Sequence, residues 1–384
     1  MRIAYVLFDP GIPIGGTKGA SIHVREFCNS VANQGHEVHL LASNVVGDVP
    51  AGVTIHRIEL NLTSKSDNGK IAAAGIYCEA TRKILAQIKP DLIYERLSMF
   101  FPYGKLLADE LGVQRLLEIN APIVDERITH FGVSEIDRAY RAERDAISGS
   151  DVIVVSDALV DYAYRNGAIS VRVVPNGVDT KRFDCPRVQN NPPRIGFVGS
   201  LKPWHGVDIL VSASKILNDE GLFHRLKIVG DGPEKDNLMN LVDQYDARDW
   251  VEFTGAVNQN SIPDILAHLD IGVAPYLPSD RFYFSPLKIL EYMSSGLPVV
   301  ATNTDSIRKI TQGNVCLIDE VTPQNVAHAI RWIFSNPLAA AKVAARAKEK
   351  TKLLFDWNEV TKSILASGAD EASCALPGVR DDDF

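Results

Sequence analysis

The feature that most constrains this chain is an alternation of short apolar, β-branched runs with longer stretches of helical period, and the alternation occurs twice. The first series predicts buried strands at Arg2–Phe8, Glu37–Ala42, Asp91–Tyr94, Arg115–Ile119, Asp151–Val155 and Val171–Val174. The second predicts strands at Arg194–Val198, Leu226–Val229, Val251–Phe253, Ile271–Ala274, Pro298–Ala301 and Val315–Ile318, with helices such as Val207–Asn218 and Glu234–Tyr245 between them. Strands without a polar face must be covered on both sides, as in a parallel sheet wrapped by helices. The expectation is therefore α/β, two consecutive doubly wound, Rossmann-like domains, and 384 residues suit two cores better than one.

The turn signal Pro175-Asn176-Gly177 and the polar stretch through Cys185-Pro186 to Pro193 mark the expected junction. The reading is an N-terminal domain over 1–180 and a C-terminal domain over 181–354. An Ala- and Lys-rich helix from about Asn336 and a helical segment over about 355–366 follow, and residues 367–384 have too little to bury and read as a solvated, disordered tail. Doubly wound sheets bind ligands beyond the C-terminal ends of their strands, and a cleft between two such domains is the default place to look.

Composition removes several function classes. A formal net charge of -8 opposes nucleic-acid binding, which draws its affinity from Lys and Arg on phosphates. The five cysteines are scattered without CxxC or His-Cys spacing, so neither a disulfide framework nor a metal site is expected. The apolar start Ile3–Phe8 is stopped by Asp9-Pro10, short of a signal-peptide core or a membrane span. A cytoplasmic protein is expected, with any membrane contact peripheral.

The richest segment runs from Ser285 to Ala301. Ser285 suits a helix N-cap, Pro286 a first helical residue and Gly296 a stop, which places Lys288 in the first turn and Glu291 one turn later on the same face. The plain alternative is an exposed i,i+3 ion pair worth a fraction of a kcal/mol. Yet a lysine in the first turn opposes the helix dipole, and Lys before Glu is the weaker order. A helix N-terminus plus an ammonium suits a phosphate, and a carboxylate one turn on can accept ribose hydroxyls.

Three Gly-rich loops accompany it. Gly199-Ser200-Leu201-Lys202-Pro203-Trp204-His205-Gly206 leaves the second domain's first strand and offers another cation; the alternative is a plain βα turn with a solvated lysine. Gly230-Asp231-Gly232 lets a nucleotide approach the backbone, or is simple turn chemistry. Gly15-Gly16-Thr17-Lys18-Gly19 departs from GxGxxG in spacing, which disfavours a dinucleotide fold, but still offers N–H groups to a pyrophosphate. His23, after that loop, and Asn120, at the end of a strand, fall where a cleft belongs. There is no GxSxG, HExxH or GxxxxGK[ST] motif.

The order and spacing of Gly35-His36-Glu37-Val38, Val174 to Asp179 with Phe183, Phe197 to Ser200, Val229 to Glu234, Phe253-Thr254-Gly255 and Glu291 to Val299 resemble the retaining glycosyltransferases of family 4, over nearly the whole chain to about Ala366. The resemblance implies the GT-B fold, two Rossmann-like domains facing across a cleft, and transfer of a sugar from a nucleotide-sugar donor to a hydroxyl acceptor in the making of bacterial glycans, glycolipids or small glycosides. It implies no cofactor and no metal, the nucleoside diphosphate sugar being a co-substrate.

By the same resemblance Lys288, Lys202 and Asn120 are the catalytic candidates. The donor set is Glu291, Ser285, Leu287, Gly199, Ser200, His205, Gly230, Asp231, Gly232, Gly15 and Gly16, and the acceptor-side candidates are His23 and Lys18. The C-terminal helix after Trp357 is expected to pack back on the first domain. Tyr283 stands where the family often has a glutamate, His205 where it has a basic residue, and Asn120 where it has a histidine. A non-hydrolysing nucleotide-sugar epimerase and a catalytically lapsed sugar-nucleotide-binding partner are the competing readings.

Overall fold

The computed structural model describes residues 1–16, 19–47, 49–60, 66–130, 132–277, 283 and 285–366. The chain divides into two compact units: Met1–Asn176 with Tyr283–Ser285 and the chain from Val360, and Gly177–Phe282 with Pro286–Glu359. The expected tail, 367–384, lies outside the described residues.

The first unit contains β1 (Arg2–Leu7), α1 (Gly19–Asn33), β2 (Glu37–Ala42), β3 (Val53–Arg57), α2 (Asp67–Ile88), β4 (Leu92–Arg96), α3 (Gly104–Leu111), β5 (Gln114–Ile119), α4 (Ile123–His130), α5 (Ile136–Ile147), β6 (Asp151–Val154), α6 (Val160–Arg165) and β7 (Ser170–Val173). Its sheet runs β3-β2-β1-β4-β5-β6-β7, parallel throughout. β3 has no counterpart in the sequence reading, because an edge strand only partly buried needs no apolar run, and Val53-Thr54-Ile55-His56-Arg57 has none. α1 begins at Gly19 and buries His23, Val24, Phe27, Cys28 and Val31 along one face.

The second unit contains β8 (Arg194–Val198), α7 (Val207–Asp219), β9 (Arg225–Val229), α8 (Lys235–Gln244), β10 (Val251–Gly255), α9 (Ile262–Ala267), β11 (Ile271–Ala274), α10 (Leu287–Ser294), β12 (Val299–Thr302), α11 (Asp305–Thr311), β13 (Cys316–Ile318), α12 (Pro323–Ser335) and α13 (Pro337–Leu354). Then α14 (Trp357–Leu365) begins in this unit and ends in the first. The sheet order is β10-β9-β8-β11-β12-β13, again parallel. Ile195, Phe197, Leu210, Ile228 and Val273 sit fully buried in its core, each worth about 1.5–3 kcal/mol of transfer free energy. The polar stretch from Cys185 to Pro193 belongs to this unit, where Arg187 donates to the carbonyls of Leu269 (2.6 Å) and Gly296 (3.2 Å).

In each sheet the strand order reverses at the first strand, between β1 and β4 and between β8 and β11. The crevice of a doubly wound sheet opens at such a point, beyond the C-terminal ends of the strands. In the second unit those ends carry Gly199 after β8, Gly230 after β9 and Tyr276 after β11. Within the first unit the end of α14 is fastened by Ser30 Oγ and Thr361 Oγ1, 2.7 Å apart, and by Arg172 donating to the carbonyls of Ser363 and Ile364.

Candidate functional site

In the second unit α10 presents Lys288 to the loop after β8. The Lys288 Nζ is buried without a hydrogen-bond partner and lies 4.0 Å from the ring centre of Phe197 and 5.0 Å from that of Tyr276. Gly199 makes room for it: with φ +149 and a Cβ position only 2.8 Å from Nζ, a side-chain-bearing residue there would be strained and would strike the ammonium. Burial pushes the Lys288 amine down to about 7, against the pull of Glu291. This is not the exposed i,i+3 pair of the plain alternative: Lys288 is enclosed, and the Glu291 carboxylate instead accepts from Gln259 Nε2 at 3.4 Å.

The cap of α10 differs from the expectation. Pro286 holds the N-cap position and the helix starts at Leu287, half-buried. Ser285 does not cap, because its Oγ accepts from the Asn176 N–H (3.0 Å) and its carbonyl from Asn176 Nδ2 (3.0 Å), all within the first unit. The helix stop is as expected, with Gly296 at φ +64 and its N–H on the Met293 carbonyl.

The loop after β8 brings Lys202 and His205 to the same place. His205 Nδ1 lies 2.5 Å from the Ser200 carbonyl, which can only accept, so Nδ1 carries the hydrogen and Nε2 keeps a lone pair. Burial, then the Lys288 and Lys202 charges, push this imidazole down to about 3, so it is neutral at any pH near 7. Its ring packs edge-on to Tyr276 at 5.3 Å, and Lys202 Nζ lies 5.7 Å from the Trp204 ring centre. Lys288 and Lys202 thus flank one neutral histidine.

Gly230, Asp231 and Gly232 brace this loop. The Leu201 N–H donates to the Asp231 carbonyl (3.0 Å) and the Glu234 N–H to the Leu201 carbonyl (3.1 Å). Gly230, at φ +134, has a Cβ position 1.9 Å from the Gly199 carbonyl oxygen, so any side chain would push the loops apart. The Asp231 side chain is exposed and turns to the Gly232 N–H (2.8 Å) and Lys235 (3.2 Å).

The first unit holds a separate polar cluster, built where β4, β5 and α1 meet. Glu118, 1% exposed, accepts from His23 Nε2 (2.9 Å), Tyr94 Oη (2.5 Å), Arg96 Nη1 (2.7 Å) and Asn120 Nδ2. Burial alone would push the Glu118 carboxyl up, but His23, Arg96 and Asn120 hold it below the ordinary carboxylate range. His23 Nδ1 meets Asn176 Oδ1 at 2.9 Å, an orientation set by the Asn176 Nδ2 bond to Ser285. Both nitrogens of His23 therefore face acceptors. Gly15 and Gly16 lie at the start of α1, where Gly16 N–H donates to the Pro13 carbonyl (3.0 Å); Lys18 lies outside the described residues.

The structure thus gathers Lys288, Lys202, His205, Gly199 and Ser200 in the second unit, and His23, Asn120 and Ser285 around Glu118 and Asn176 in the first. Sequence reasoning passed over Glu118, Arg96, Asn176, Phe197 and Tyr276. For Glu118 and Arg96 a signal existed, since a charge inside an otherwise apolar strand must be paired. Among the described residues no group of three or more His, Cys, Asp and Glu side chains can hold a metal ion, and no helix is long and apolar enough to cross a membrane.

Two parallel Rossmann-like sheets of this order define the GT-B class of glycosyltransferases. Sucrose-phosphate synthase from Thermosynechococcus elongatus superposes with a TM-score of 0.76 at 19% identity, covering 94% of this chain and 97% of that one. HepE of Anabaena, solved in complex with UDP, superposes with a TM-score of 0.70 at 17% identity, covering 95% and 98%. Residues 17–182 match the family described as Glycosyltransferase Family 4, and residues 192–336 that described as Glycosyl transferases group 1. A GDP-mannose-dependent α-(1-6)-phosphatidylinositol dimannoside mannosyltransferase of Mycobacterium tuberculosis is 26% identical over 392 residues, 96% of each chain, and a D-inositol 3-phosphate glycosyltransferase of Kineococcus radiotolerans is 25% identical over 94% of this chain and 91% of that one. The chain belongs to glycosyltransferase family 4, and the protein is a glycosyltransferase.

Proposed function

We propose that the protein transfers a hexosyl group from a nucleoside diphosphate sugar to a hydroxyl, with retention of anomeric configuration and without a metal ion. The observation that carries this reading is the buried Lys288 Nζ with no acceptor of its own, beside the Gly199–Gly206 loop at the C-terminal ends of the strands. A buried amine holds its proton firmly only beside an anion, and the diphosphate of a donor supplies one. The uncapped N-terminus of α10 adds N–H dipoles of the same sign. Glu291 accepts the ribose hydroxyls. Uridine and guanosine donors are the first to test, since HepE is solved with UDP and the mycobacterial relative is GDP-mannose-dependent.

In this reading the bond from the anomeric carbon to the β-phosphate oxygen breaks, and its electron pair stays with the nucleoside diphosphate. The acceptor oxygen bonds to that carbon from the same face, and its proton passes to the departing diphosphate. Lys288 and Lys202 meet the growing charge; one cation about 4 Å from a unit charge contributes on the order of 4 kcal/mol at an effective dielectric of about 20. The acceptor, a hydroxyl of a glycan, lipid-linked sugar or small molecule, is assigned to the N-terminal half, where His23 and Lys18 are the candidates.

Two measurements test the reading. Glu291→Gln should weaken UDP or GDP binding about tenfold or more with the melting temperature unchanged, the scale of a lost charged hydrogen bond; unaltered affinity and turnover would return Glu291 to a surface role. Transfer from the matched donor should continue in EDTA and give product of the donor's anomeric configuration by NMR. Loss of activity restored by magnesium or manganese, or an inverted product, would refute the reading.

A further inference from the structure

In most anion sites the cation is charged before the ligand arrives, held by an acidic partner or by water. Here, among the described residues, none makes a hydrogen bond to the buried Lys288 Nζ. Among the described residues, the groups facing Nζ are the Phe197 and Tyr276 rings, the Gly199 backbone, neutral His205 and, one turn along its own helix, Glu291. Lys202, also positive, acts on the same His205. Glu291 is the one anion acting on the amine among the described residues, and it makes no ion pair with it. Two π faces compensate an ammonium only in part. His205 cannot substitute as a fixed cation, because burial keeps it neutral against the pull of the Ser200 carbonyl.

Resting on the reading above that this site receives a nucleoside diphosphate, we propose that the diphosphate is captured together with a proton, which Lys288 takes up as the phosphate oxygens become its acceptors. The geometry supplies both states. The empty pocket favours the neutral amine, and the filled one gives Nζ the hydrogen-bond acceptors it lacks. The amine of the empty site, at about 7, is largely uncharged at pH 8.

The test uses UDP and GDP with the whole chain. Calorimetric titration at pH 8 in two buffers of very different ionisation heat should show uptake of about 0.9 proton per nucleotide bound, since the terminal phosphate has already lost its last proton, at a pKa of about 6. The dissociation constant should weaken about tenfold between pH 8 and pH 9, as required when a proton must be added to bind. Lys288→Arg, which is always charged, should bind with no uptake and a flat profile; Lys288→Met should bind more weakly, also with a flat profile. Wild-type binding with no proton uptake overturns the inference and leaves the donor-site reading standing. Uptake that persists in both variants overturns the assignment to Lys288. Failure of both nucleotides to bind the wild type overturns the reading, and the inference with it.

Discussion

Replacing Lys288 by Met should make the protein more stable and less active. Met keeps the length of the side chain and its contact with Phe197 and Tyr276, while removing the amine. Burial pushes that amine from an ordinary value of 10.5 down to about 7. The folded state therefore disfavours the proton that the unfolded chain holds, and the difference, 10.5 minus 7, corresponds to a penalty on the order of 5 kcal/mol. The penalty is present in full below pH 7 and shrinks as pH rises towards 10.5, because between these values only the unfolded chain binds the proton. If Met recovers half of it, the melting temperature should rise by about 5 °C or more at pH 7, and the gain should fade by about pH 10. Turnover should drop roughly 10²- to 10³-fold, the scale of one lost oxyanion donor. Scanning calorimetry at several pH values and a donor-consumption assay on the same purified variant decide it. A lower melting temperature with normal turnover would refute the reasoning, since a surface ion pair behaves in that way.

Glu118→Gln should destabilise the first unit by about 3–5 kcal/mol in chemical denaturation, because His23 and Arg96 lose the carboxylate that compensates them; an unchanged midpoint would show that the cluster is not held by charge. Glu143, whose Oε1 accepts from the Val124 N–H at 3.2 Å, is pushed up to about 7 by burial. Its folded state favours the proton, so stability is fully present below the ordinary carboxylate value and is lost as pH rises to about 7. Glu143→Gln should accordingly raise the melting temperature at pH 8, by up to about 3 kcal/mol of stability, and leave it little changed at pH 4. Equal effects at both pH values would exclude titration of Glu143.

Much of the architecture was legible because parallel strands buried on both faces announce themselves as apolar runs. β8, β9 and β11 are of this kind, and α7 and α8 fall within a residue of their predicted bounds at each end. β3 was silent for the opposite reason, being an edge strand with one side towards water. Lys288 was legible through its sign, a cation at the wrong end of a helix. The role of Ser285 was not, because its partner Asn176 is far away in sequence, and a serine before Pro reads locally as a cap whatever it touches. His23 was noticed by its place after a loop, but only the fold brings Glu118 and Asn176 to its two nitrogens.

The loops after β8 and β9 are joined main chain to main chain, at Leu201 with Asp231 and at Glu234 with Leu201. Their spacing is therefore inherited by peptide groups, whatever side chains they bear. A scaffold of that kind leaves its charges portable: a cation can vanish from one loop and reappear on a facing helix without moving the pocket wall. The neutral His205 beside the enclosed Lys288 makes these two positions the natural pair at which to exchange a cation when this site is to be redesigned.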